Sequence, residues 1–107
     1  MEIRIYTDRQ GHAPFEAWLQ ALADRMARAR IRARLARLEA GQWGDCTPLR
    51  EGVLELRVDH GPGYRVYLSR QGPVLVLLLC GSDKRDQERE IARAIACLND
   101  WKQRGKP

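Results

Sequence analysis

Arg57 and Arg65 stand on either side of Gly61-Pro62-Gly63, a tripeptide with strong turn chemistry. Each lies in a segment that alternates apolar and polar residues. Leu54, Leu56 and Val58 mark one face of the first segment, with Glu55 and Arg57 on the other. Tyr64, Val66 and Leu68 alternate with Arg65 and Tyr67 in the second. If the turn joins the two as paired strands, Arg57 and Arg65 fall on one face, close together. Two neighbouring guanidiniums repel unless water or a bound polyanion screens them. Tyr67, on the same face, offers a ring for stacking a base and a phenol that can donate a proton. Lys84 lies at the head of a C-terminal helix, where the helix end itself favours an anion. Such a set suits a bent phosphodiester and its transition state, with positioning and charge stabilisation as the means. The ordinary alternative is that Glu55 and Asp59 neutralise the arginines in cross-strand pairs. His60 is an acid–base candidate by residue type, but it directly precedes the turn and reads equally as a turn residue.

Other chemistries find little support. No paired-carboxylate, nucleophile–histidine or metal-ligand pattern is present, and no cofactor or metal is expected. Cys46, Cys80 and Cys97 are widely spaced and form no Cys-x-x-Cys pair, with only His12 and His60 as possible partners. They read as free thiols acting as small core hydrophobes. Among nineteen basic residues only Lys84, Lys102 and Lys106 are lysine, and the net charge is +5. Arginine suits phosphate because its planar fork donates paired hydrogen bonds and stays charged. The excess points to nucleic acid or an acidic protein, although a GC-rich genome would produce the same bias.

Short elements must position these residues. The chain has 107 residues, 44% of them hydrophobic and 31% charged, which suits one domain with one core. No repeat or linker divides it. The longest apolar run, Val74 to Cys80, is far short of the ~20 residues of a membrane helix. The N-terminus lacks the apolar stretch of a signal peptide, so the cytoplasm is the expected location. Residues 2–6 read as a strand. Pro14 opens a helix carrying Phe15, Trp18, Leu19 and Leu22 to about Ala23. Asp24 caps a second helix ending near Gly41, with Ala27, Ile31, Leu35 and Leu38 toward the core. Met26, Ala29, Ala33 and Ala36 line up opposite, a stripe that could seat the first helix or a partner's helix, or simply reflect alanine's helix propensity.

Strands over 53–59, 64–69 and 74–80 follow, joined by short turns into an antiparallel meander. Ser82 or Asp83 caps a last helix to about Trp101. Its core face is Ile91, Ala94, Ile95 and Leu98, and extending that face backward aims Gln87 and Lys84 toward the end of the sheet. The order β-α-α-β-β-β-α describes an α+β domain, a mainly antiparallel four-stranded sheet with helices packed on one face. Arg57, Arg65 and Tyr67 would emerge on the other face, in an open groove.

Several segments together resemble one known group. They are Phe15-Glu16-Ala17-Trp18-Leu19, Gln42-Trp43-Gly44-Asp45, Val53-Leu54-Glu55-Leu56-Arg57, Gly61-Pro62-Gly63-Tyr64-Arg65-Val66-Tyr67 and Leu78-Leu79-Cys80-Gly81-Ser82-Asp83-Lys84. The chain resembles the addiction-module killer proteins, a HigB-like branch of the RelE/ParE toxins, along nearly its whole length. The resemblance implies a RelE-like fold and the toxin of a type II toxin–antitoxin system. It also implies a metal-independent mRNA endonuclease working in the ribosomal 30S A site. In that chemistry a 2′-OH attacks its neighbouring phosphate, leaving a cyclic phosphate and a free 5′-OH. On this model Arg65 stabilises the phosphorane, Arg57 holds a flanking phosphate, Lys84 balances charge on the attacking or leaving oxygen, and Tyr67 stacks or donates. Tyr64 and Gln87 join Arg57, Arg65 and Lys84 in contacting RNA. The implied partners are the ribosome with its mRNA and a cognate antitoxin encoded in an adjacent gene. A ParE-like gyrase inhibitor and a non-catalytic RNA- or protein-binding module are the competing readings, since a fold alone does not select a function.

Overall fold

The computed structural model describes residues 1–105. Its elements are β1 (Glu2–Ile5), α1 (Pro14–Ala21), α2 (Arg25–Glu39), β2 (Cys46–Pro48), β3 (Leu54–Val58), β4 (Tyr64–Gln71), β5 (Leu75–Asp83), a 3-10 turn (Lys84–Asp86) and α3 (Gln87–Gln103). The chain folds as an α+β domain whose sheet has five strands in the order β1-β5-β4-β3-β2. The expected meander of β3, β4 and β5 is present and antiparallel. Two features correct the four-stranded expectation. Residues 46–48 add β2 along the edge of β3, and β1 joins β5 in parallel, so the sheet is mixed. β2 left little trace in the sequence because it is three residues long and holds Pro48, a residue confined to sheet edges by its missing donor.

The helices are not confined to one face. Val76 and Leu78 of β5, with Leu56, Val66 and Leu68, pack under Phe15 and Leu19 of α1 and Ala27, Ile31 and Leu38 of α2. Leu77, Leu79 and Cys80 point the other way, with Tyr67, and pack under Ile91, Ala94, Leu98 and Trp101 of α3. Two covered faces explain why β5 is apolar on both sides. A bulge refines the pattern. Tyr67 pairs with Cys80 but Leu68 pairs with Leu78, leaving Leu79 as the extra residue. Leu79 and Cys80 therefore both enter the α3 side, and the alternation resumes with Gly81 facing α1. A Cβ on Gly81 would lie 2.3 Å from Trp18 Cε3, so the ring occupies the space that glycine leaves.

The helix starts follow their predicted logic. Pro14 occupies the first turn of α1. Asp24 Oδ1 accepts from the amides of Met26 at 2.9 Å and Ala27 at 3.1 Å, capping α2. At the last helix the expected cap is displaced. Asp83 accepts from the Arg85 amide at 2.8 Å and so caps the 3-10 turn, while Ser82 stays within β5. The Met26, Ala29, Ala33 and Ala36 stripe is exposed; α1 does not cover it.

Candidate functional site

At one end of the sheet the β3–β4 hairpin, the loop before β2 and the 3-10 turn enclose a cleft of about 310 Å³. Arg57 and Arg65, directly opposite one another in the β3–β4 register, contribute to its wall with Lys84, Asp45 and Asp59. The hairpin thus brings the two guanidiniums together on one face, the α3 side. That face is not an open groove. α3 covers its Tyr67 half, and only the Arg57–Arg65 half reaches the cleft.

Each arginine is held by its own carboxylate. Arg57 donates from Nη2 at 2.9 Å and from Nε at 3.3 Å to Asp45 Oδ1. The Arg57 hydrogen bond holds the Asp45 carboxyl below the usual carboxylate range and raises the guanidinium in turn. The Arg57 amide donates to the Asp45 carbonyl at 2.9 Å, fixing the loop to β3. Arg65 lies deeper, its Nε 3.3 Å from Glu55 Oε2, with side-chain exposures of 11% and 4%. Glu55 also accepts from Gln87 Nε2 at 3.1 Å. Arg65 Nε is buried without a well-formed hydrogen bond, so Glu55 holds it by charge more than by directed geometry. The two arginines are therefore compensated from within, Arg65 by the foreseen Glu55 and Arg57 by Asp45 instead of Asp59.

Lys84 is exposed, as Arg57 is, but unlike the two arginines it makes no ion pair among the described residues. Gly63 joins it to Arg65. With φ at +83°, a conformation favouring glycine, a Cβ there would lie 3.5 Å from Lys84 Cε and 3.7 Å from Arg65 Nη1. The absent side chain keeps the side chains of Lys84 and Arg65 next to the same point of the hairpin backbone, on the wall of the cleft.

Two expected contacts, those of Tyr67 and Gln87, fall elsewhere. Tyr67 is fully buried, and its hydroxyl lies 2.9 Å from Ser82 Oγ. Burial, the main cause, pushes the phenol up to about 12. It cannot stack on a base, because its alternation places it in the core beneath α3. Tyr64 lines the cleft as expected but is mostly a core residue, 8% exposed and edge-on to Trp18 at 6.3 Å. The Gln87 amide is directed at Glu55. His60 Nε2 lies 3.0 Å from Asp24 Oδ2, tying the hairpin to the cap of α2. Asp45 is the site residue that sequence reasoning did not single out, whereas Glu55 was weighed as a partner for the arginines. Glu55 had a signal, its place two positions from Arg57 on the same face; Asp45 had none, because it comes from a loop.

The thiols stay in the background. Burial raises Cys46, Cys80 and Cys97, and all three are free. Among the described residues no group of three or more His, Cys, Asp or Glu is placed to hold a metal, and no helix is long and apolar enough to cross a membrane.

The fold and cleft define an α+β domain that presents a cross-strand pair of arginines and a lysine at one end of a mixed sheet. No protein-family model matches the sequence. The chain is 49% identical over 80 residues to an uncharacterized protein of Haemophilus influenzae, covering 75% of this chain and 81% of that protein. It belongs to the same family as that protein.

Proposed function

We propose that this domain is the toxin of a type II toxin–antitoxin system, RelE-like in fold, and that it cleaves mRNA at the ribosome. The observation that carries the reading is the register pairing of Arg57 with Arg65 beside Lys84, in one cleft. A phosphodiester seated there meets three cationic side chains. The substrate 2′-oxygen forms a bond to phosphorus as the bond to the 5′-oxygen breaks. Water takes the proton from the 2′-hydroxyl, and a proton is returned from water to the departing 5′-oxygen. Arg65, fixed by Glu55, faces the charge that develops on the phosphorane. Arg57 holds the neighbouring phosphate, and Lys84 balances charge on the attacking or leaving oxygen. Preorganised cations of this kind cost no rearrangement during reaction.

Such a toxin works in the cytoplasm and needs a cognate antitoxin, encoded next to it. Because Arg57 and Arg65 already have carboxylate partners, the antitoxin neutralises by covering the cleft and blocking the ribosome more than by supplying charge. The same internal pairing favours a second reading, a binding module that grips RNA or protein without cutting it, with gyrase as an alternative target.

The test is induction of the wild type and of Lys84→Gln in cells, with mapping of RNA 5′ ends and of plasmid supercoiling. Lys84 is the cleaner probe because it is exposed, whereas Arg65→Ala strands buried Glu55. Codon-phased cleavage that falls by about 10²–10³ in the variant is the expected result. Gyrase-dependent DNA breaks with intact mRNA would sink the endonuclease, and an effect on neither would leave the binding module.

A further inference from the structure

Helix α2 carries six arginines against one carboxylate, Glu39. Spacing at ~100° per residue puts them on two flanks. Arg30, Arg34 and Arg37 share one, and Arg25, Arg28 and Arg32 the other. Arg34 is committed to the chain's own backbone, donating to the carbonyls of Arg57, Trp43 and Asp45, and Arg28 donates to the Leu22 carbonyl. Arg25, Arg30, Arg32 and Arg37 are exposed and form no ion pair with any described residue. Like charges at i,i+4 destabilise a helix, as with Arg28–Arg32 and Arg30–Arg34, and arginine in the first turn opposes the helix dipole. Only Arg37, in the last turn, suits the dipole, so most of this charge is not called for by folding.

One flank leads to the cleft. Arg30, Arg34 and Arg37 line a shallow depression together with Val58 and Asp59, and Val58 and Asp59 also line the cleft of Arg57, Arg65 and Lys84. The two concavities share these residues at the end of β3, the cleft on its α3 side and the depression on its α2 side, so a strand running from one to the other rounds the end of β3. The other flank faces away, Arg32 lining the groove beside α1.

We propose that the Arg30–Arg37 flank of α2 is a second phosphate-binding surface, receiving the RNA strand where it leaves the cleft past Arg57. The proposal rests on the RNA reading of the cleft and extends it to the flanking nucleotides. Single-stranded RNA is the occupant that the surface fits. The residues between the arginines are small, with Ala33 in the depression itself, so a phosphate backbone can approach closely. A protein partner would want a buried anchor pocket for an aromatic or aliphatic side chain, whereas arginines make up half of the residues lining this depression. Asp59, the carboxylate at the junction, sets a limit on how tightly the strand is held.

The test is equilibrium binding of non-cleavable RNA, with 2′-deoxy linkages, across a salt series. One oligonucleotide of about four residues fills the cleft and a second of about twelve reaches α2, within the range of single-strand site sizes. Arg30→Gln/Arg37→Gln should lower the salt dependence of the longer RNA by about 1.4, two phosphates at ~0.7 each, and leave the shorter one unchanged. Arg25→Gln/Arg32→Gln removes the same charge from the opposite flank and should change neither. Equal losses from both double variants would reduce the effect to overall charge and overturn the proposal. So would an unchanged longer RNA, or loss of polyglutamate binding in place of RNA binding, which would make the surface a protein site. If the wild type binds neither RNA, the cleft reading itself falls; if both bind and Arg30→Gln/Arg37→Gln alters neither, only the α2 surface falls. Thermal melts of both variants establish that they fold.

Discussion

Substituting Glu55 by Gln isolates what fixes Arg65. The shape is kept and an acceptor remains for Gln87, but the negative charge is removed from a carboxylate 4% exposed, 3.3 Å from a guanidinium 11% exposed. Breaking a buried pair by removing one partner costs about 3–5 kcal/mol, because the remaining charge stays buried. An amide oxygen can still accept from Arg65, which places Glu55→Gln at the lower end, about 3 kcal/mol. For a domain with a total stability of roughly 5–15 kcal/mol that is a large share. At about 4–8 °C per kcal/mol it lowers the melting temperature by roughly 12–24 °C. Urea unfolding followed by tryptophan fluorescence measures the loss. Glu55→Gln/Arg65→Gln removes both charges and should recover most of it, giving a coupling of about 2 kcal/mol or more. In single-turnover RNA cleavage, Glu55→Gln should slow the chemical step more than it weakens binding, since the cation remains but its position is no longer held. A variant within about 0.5 kcal/mol of the wild type, the range of ordinary surface changes, would refute the reasoning. The Arg65 guanidinium would then be hydrated and Glu55 would not position it.

Other substitutions test the frame around the site. Gly81→Ala places a methyl group inside the Trp18 ring, 2.3 Å from Cε3, and should destabilise by about 1–3 kcal/mol or more; rescue by Trp18→Leu in the double variant checks that the ring is the cause. Asp24→Ala removes the α2 cap and the contact with His60, at a cost of about 1 kcal/mol in urea unfolding, while Lys102→Gln, exposed on α3, serves as a neutral control. Acid should destabilise the fold. Hydrogen bonds, chiefly from the Ala27 amide to Asp24, from Arg57 to Asp45 and from Tyr6 to Asp100, hold these carboxyls below their ordinary values. Their contribution is present above the unfolded pKa of about 4 and is lost as pH falls through the lower folded values. The urea midpoint should hold between pH 7 and 5 as far as these groups go and drop toward pH 3; an unchanged midpoint at pH 3 would count against the pairing.

Local pattern was enough for much of the architecture. Alternation marked β3 and β4 and put Arg57 and Arg65 on one face, and Gly61-Pro62-Gly63 forced their hairpin. Period located α1, α2 and α3, with Pro14 marking the start of α1 and Asp24 that of α2, because an amphipathic stripe and a helix start are properties of a few neighbouring residues. Decisions involving residues distant in sequence were not written there. Nothing in Glu2-Ile3-Arg4-Ile5 says that it pairs in parallel with β5, and alternation alone does not tell which face a helix will cover. That choice buried Tyr67 under α3 and removed it from the cleft. It also let Asp45 reach Arg57 from a loop, an encounter set by chain crossing and not by spacing. The sequence determined that two arginines would share a face; the tertiary structure decided that each would be paired with a carboxylate, and left the unpaired arginines on α2.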